Sequence, residues 1–126
     1  MKVFAMIQKL TQPSTLLHLE GGVLLAMSAL LYGWLEGNWW LFAVLLLAPD
    51  LSMIGYLAGK EAGATVYNAF HNYLLPAVLA AVGLFTSNLL FDQLAFIWLA
   101  HIGMDRLLGF GLKYASDFKD THLGRV

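Results

Sequence analysis

Four apolar stretches of bilayer length, short polar connections between them, and basic residues gathered on one side predict an all-α integral membrane protein. The expected architecture is an up-down four-helix bundle with a short N-terminal interfacial helix, in one domain over residues 1–126. Of the 126 residues, 60% are hydrophobic and only 12% charged. Soluble domains carry about 25% charged residues, and a core this small could not hide so many apolar side chains from water. The formal net charge of −1 argues against nucleic acid as a partner. With no cysteine, disulfides and thiolate metal sites are excluded.

Each element has its own signal. Val3, Phe4, Ile7 and Leu10 share one helical face while Lys2, Gln8 and Lys9 lie elsewhere, the pattern of a short helix lying in a membrane interface, with a frayed basic tail as the alternative. Pro13-Ser14 breaks the chain before a first span over residues 16–35, which is expected to be a retained helix rather than a cleaved signal peptide. Glu36-Gly37-Asn38 is a turn, flanked by Trp34, Trp39 and Trp40 as an aromatic belt. The second span, 39–57, contains Pro49, and a kink is expected near Ala48 because proline lacks an N–H and crowds the carbonyl four residues back. The third, 64–85, contains Pro76 and a second expected kink. Thr86-Ser87-Asn88 is a turn into the fourth span, 89–112, and the remaining residues are polar. Lys2, Lys9, Lys60, Arg106, Lys113, Lys119 and Arg125 fall on one side of these spans, and the connections on the other side have no Lys or Arg. By the positive-inside rule both termini are cytoplasmic.

Depth within the spans brings out the chemistry. Glu20 lies early in the first span, Asp50 late in the second, His71 early in the third, and His101 and Asp105 late in the fourth. Because chain direction alternates, all five fall within roughly 9 to 18 Å of the cytoplasmic face at about 1.5 Å of rise per residue. Ionisable residues at membrane depth point to function, and His101 and Asp105, four apart, share one helical face. Imidazoles and carboxylates contributed by several helices of a bundle are what a zinc, iron or manganese site needs. The assignment takes Asp50, His71, His101 and Asp105 as ligands and Glu20 as general base. Asn68, with Tyr67 and Asn72, stands close enough to His71 to orient it or to stabilise an oxyanion. His18 points to another side, and His122 in the tail is expected to be a solvated surface histidine. Singly, each has a plainer explanation: a packed histidine, Asp105 paired with Arg106 or Lys113, Glu20 at a helix start. Together they require all of those explanations at once.

Residues Pro49-Asp50-Leu51-Ser52, Tyr67-Asn68-Ala69-Phe70-His71-Asn72, His101-Ile102-Gly103-Met104-Asp105-Arg106 and the closing Thr121-His122-Leu123-Gly124 carry a resemblance over nearly the whole chain. The sequence resembles a bacterial family of small membrane proteins, domain of unknown function 4260. That resemblance implies a four-helix protein of the bacterial inner membrane and no particular activity. In the character of its site alone, the layer is similar to those of membrane-bound metal-dependent hydrolases and the alkaline ceramidase and adiponectin-receptor group. The expected function is zinc-dependent hydrolysis of an ester, amide or phosphoester in a lipid or other amphiphile at the cytoplasmic side. The alternatives are a proton or ion conductor using the same layer, haem ligation by His71 and His101, and a structural membrane subunit. A homo-oligomer is open under all of them.

Overall fold

The computed structural model describes residues 1–126 and is all-helical, with six α-helices and one 3-10 segment. In chain order these are α1 (Lys2–Leu10), α2 (Pro13–Trp34), α3 (Trp39–Leu45), the 3-10 segment (Ala48–Ala58), α4 (Lys60–Phe70), α5 (Leu74–Thr86) and α6 (Leu89–Leu108). An irregular tail follows, pinned on itself by one antiparallel bridge between Lys113 and Thr121. Three stretches are long and apolar enough to cross a membrane: Pro13–Trp34, Trp39–Ala58 and Lys60–Thr86.

Two of the four expected spans are not continuous helices. The second leaves α-helical geometry after Leu45 and continues as the 3-10 segment. Eleven residues of 3-10 helix is long for a conformation usually seen in runs of three or four. The third span is broken at residues 71–73 rather than kinked at Pro76. Pro76 is the third residue of α5, where a backbone N–H has no helical partner to lose, so this proline opens a helix instead of bending one. The fourth span stops at Leu108, not at residue 112, because Gly109 adopts φ +94° and Phe110 N–H returns to the Asp105 carbonyl (2.7 Å), closing the helix.

Helix α6 is the axis of the molecule. It packs most extensively on α2 and next on α5, while α4 packs on the 3-10 segment. Ala95, Ile97, Ala100, His101, Ile102, Gly103, Asp105 and Arg106 are all buried on it. Its backbone touches α2: a Cβ on Gly103 would stand 2.7 Å from both the Gly21 carbonyl oxygen and the Leu25 nitrogen, so only glycine allows this approach. Only 22 of 126 residues are buried, and they include His71, His101, Asp105, Arg106 and Lys113, while Leu30, Trp40, Val44, Leu57 and Phe85 face outward. A polar centre inside an apolar exterior suits lipid as the surrounding medium. Helix α1 forms as expected and buries none of its residues.

Candidate metal centre

Four side chains converge where the 3-10 segment, the end of α4 and the later half of α6 meet. One ligand atom each from Asp50, His71, His101 and Asp105 lies within 4.8 Å of all the others. His71 Nε2 is 3.1 Å from His101 Nε2, 3.1 Å from Asp50 Oδ1 and 3.6 Å from Asp105 Oδ2. His101 Nε2 is 3.2 Å from each of the same two oxygens. A zinc ion holding nitrogen and oxygen ligands at about 2.0–2.2 Å separates neighbouring ligands by roughly 3.3–3.6 Å in a tetrahedron; one of these distances matches that and the other four are shorter by 0.1–0.2 Å.

The orientation of both imidazoles follows from how two helices end. Leu46 is the carbonyl that residue 49 would engage in a 3-10 turn, but Pro49 has no N–H. The Asp50 N–H, its α-helical alternative, instead bonds Leu47 (3.1 Å). The freed Leu46 carbonyl accepts from His101 Nδ1 at 2.6 Å. At the end of α4 the His71 N–H turns to the Asn68 carbonyl (3.3 Å), which frees the Tyr67 carbonyl, and His71 Nδ1 donates to it at 2.8 Å. Both rings thus hold a proton on Nδ1 and turn Nε2 to the centre.

Four carbonyls at this break also accept from side chains. Phe70 accepts from Trp98 Nε1 (2.8 Å), His71 from Arg106 Nη2 (3.0 Å), and Asn68 and Ala69 from Asn72 Nδ2 (2.7 and 3.1 Å). Partners of this kind are what allow a helix to stop within apolar surroundings. Tyr67 stacks on His71 with ring centroids 3.6 Å apart and 7° between planes, and its hydroxyl donates to Asp105 Oδ2 at 3.4 Å. His71 and His101 are closed off from solvent, whereas the Asp50 side chain is 31% exposed and is the open side of the group.

Glu20 is not part of this constellation. It lies on the exposed surface of α2, away from the four converging side chains. The Asn68 amide is engaged elsewhere: Nδ2 donates to the Lys113 carbonyl and Oδ1 accepts from the Lys113 N–H, both at 2.7 Å, which fastens the tail to α4. Asn72 closes the break, its Oδ1 accepting from Leu74 N–H at 2.8 Å. His18 Nδ1 donates to the Ser14 carbonyl of its own helix (2.6 Å). His122 is partly buried rather than solvated, and its Nδ1 accepts the Leu112 N–H at 2.8 Å. Burial pushes its pKa down, with Arg106 adding to the effect.

Two further residues belong to the surroundings of the site, and their roles are not visible in residue spacing. The Arg106 guanidinium spans from His71 to the Phe110 carbonyl (3.1 Å), tying the α4 break to the end of α6. The buried Lys113 ammonium lies 3.8 Å from the Phe118 ring centroid and 4.8 Å from that of Tyr67. Desolvation lowers the Lys113 pKa. The signal that could have revealed the Leu46 contact was Pro49 itself, since a missing N–H three residues on leaves a carbonyl in need of a donor.

The family model described as "Domain of unknown function (DUF4260)" matches residues 14–126, leaving α1 outside it. No curated protein and no solved structure matches the chain.

Proposed function

The chain belongs to this family of unknown function, and we propose, from the site itself, that it is a metal-dependent membrane hydrolase acting on a lipid or amphiphile ester, amide or phosphoester. The metal is zinc, with iron or manganese as the other cations that suit imidazole and carboxylate ligands. One observation carries this reading. Two imidazole Nε2 atoms, turned to the centre because each Nδ1 donates to a carbonyl, face each other at 3.1 Å with two carboxylates beside them. Four such groups this close need positive charge among them, and a divalent cation held by all four supplies it.

A divalent cation there would polarise a carbonyl or phosphoryl oxygen and acidify water toward neutral pH. His71, His101 and Asp105 hold the rigid part of the group, and the Tyr67 hydroxyl orients Asp105. Asp50 meets both imidazoles through Oδ1, and in our reading its Oδ2 on the open side takes the proton from the attacking water. This transfers to Asp50 the role that depth alone suggested for Glu20. In our reading the site lies in the cytoplasmic leaflet of a bacterial inner membrane, which the basic residues of the connections support.

Two rival readings fit the geometry less well. Axial haem ligation needs a macrocycle between His71 and His101, and 3.1 Å leaves no room for one. A proton path across the molecule needs polar groups along it, but between Gln93 and His101 the buried residues of α6 are Ala95, Ile97 and Ala100. The test is hydrolysis of a panel of lipid esters, amides and phosphoesters by detergent-purified protein. Turnover that is lost on chelation, restored by zinc and absent in Asp50→Ala supports the proposal. A fully metal-loaded protein inert on every class would overturn the hydrolase reading.

A further inference from the structure

An apolar cleft of about 320 Å³ opens beside the metal centre. Its near end is built from sequence neighbours of the ligands: Pro49 precedes Asp50, Phe70 precedes His71, and Ile97 and Trp98 lie one turn before His101 on α6. Its far end is formed by Leu45, Leu79 and Leu94. From His101 back to Leu94 is about 10 Å along the helix, directed away from the basic face and toward the middle of the bilayer. The lining offers no polar group to a ligand, because its one polar atom, Trp98 Nε1, is already bonded to the Phe70 carbonyl. Hydrocarbon is therefore the occupant that the cleft can satisfy.

We infer that this cleft holds one acyl chain of the substrate, with the reacting end of that chain delivered to the open side of Asp50. The inference rests on the metal-hydrolase reading for its chemistry and narrows the substrate to acyl amphiphiles. A cleft of this volume admits an alkyl chain. A chain in the cytoplasmic leaflet already lies along this direction, so entry is sideways from lipid and needs no opening through the tail. A second cleft of about 290 Å³, lined by Leu31, Trp34, Ala80, Asp92 and Phe96, has none of the four ligands beside it and serves as an internal control.

The probe is a fatty acid carrying a photoactivatable diazirine in its chain, added to detergent-purified protein, with cross-links mapped by mass spectrometry. Cross-links are expected to concentrate on the peptides containing Leu45, Leu79 and Leu94. Filling the cleft at either end, by Ala48→Phe or Leu94→Trp, lowers that labelling at least tenfold with metal content unchanged, while Ala80→Phe in the control cleft leaves it intact. Labelling spread evenly over the outward-facing helices, or unaffected by both filling variants, overturns the inference. Concentrated labelling in a protein that binds no metal would retain the acyl site and defeat the metal reading, so the two fail separately.

Discussion

The centre is assembled from two unlike halves. His101 and Asp105 stand one turn apart on an uninterrupted helix, and the carboxylate reaches the imidazole of its own helix at 3.2 Å. Asp50 and His71 come from places where a helix has stopped, one on a 3-10 segment and one in the break after α4. The continuous half is held by the helical period and by the close α2–α6 seam. In the broken half the His71 ring is aimed by the carbonyl its own break frees, and the break at Pro49 frees the carbonyl that aims His101 across the site. Breaks in a membrane helix are costly where freed groups lack partners, and here ring nitrogens, an indole, an amide and a guanidinium supply partners for the carbonyls of Leu46 and residues 67–71. The same interactions that make the breaks tolerable also aim the ligands.

Removing a ligand from the continuous half should have the largest effect. His101→Ala leaves Asp50 and Asp105 beside His71 with a site that no longer encloses a cation. Metal is expected to be lost on purification, with a drop in stability of about 3–5 kcal/mol, the usual consequence of leaving a buried charge without its partner. Elemental analysis and thermal melts in detergent check both. The next test removes no ligand. Pro49→Ala restores an N–H that competes with His101 Nδ1 for the Leu46 carbonyl, and metal affinity should fall by roughly 10- to 100-fold, as for other lost partners of ligating histidines. Titration with a competing chelator measures it, and unchanged affinity would show that the two halves are not linked through that carbonyl. Tyr67→Phe, which removes the hydroxyl from Asp105 but keeps the ring on His71, belongs in the same range.

Gly103→Ala addresses the seam alone. The added methyl meets the α2 backbone, which cannot rotate away, so a loss of about 1–3 kcal/mol is expected with metal stoichiometry retained. The smallest effect concerns the tail. His122 must be neutral to accept the Leu112 N–H, and burial holds its folded-state pKa below the ordinary value of about 6.5. The unfolded chain therefore binds this proton more readily than the folded one. The contribution is fully present above about pH 6.5 and is lost as pH falls through the lower folded value. Amide exchange of Leu112, corrected for its intrinsic rate, should accelerate on acidification in the native protein and be insensitive to pH in His122→Ala.

This contrast also explains how much could be read from residue order. The α6 pair follows from a spacing of four on an apolar helix, and the convergence of Asp50 and His71 on it follows from depth once chain direction alternates. The positions of the breaks do not follow in the same way. Both prolines were visible, but one frees a carbonyl three residues earlier and the other merely opens α5. Which of these a proline does depends on what packs beside it. Glu20 shows the limit of depth as a guide, since it lies at an appropriate level yet on the exposed side of α2, and level alone does not define a face. Asn68 shows a second limit: proximity to His71 was legible, but its engagement by the Lys113 backbone required the tail to fold back.

The claim beneath all of this is that Asp50, His71, His101 and Asp105 together hold a single cation. Elemental analysis of the detergent-purified protein, set beside that of His71→Ala and His101→Ala, tests it most directly. One equivalent of zinc, iron or manganese per chain in the native protein and next to none in either variant is the expected result. A native protein free of metal, with a melting temperature unmoved by added zinc or by chelator, would contradict it.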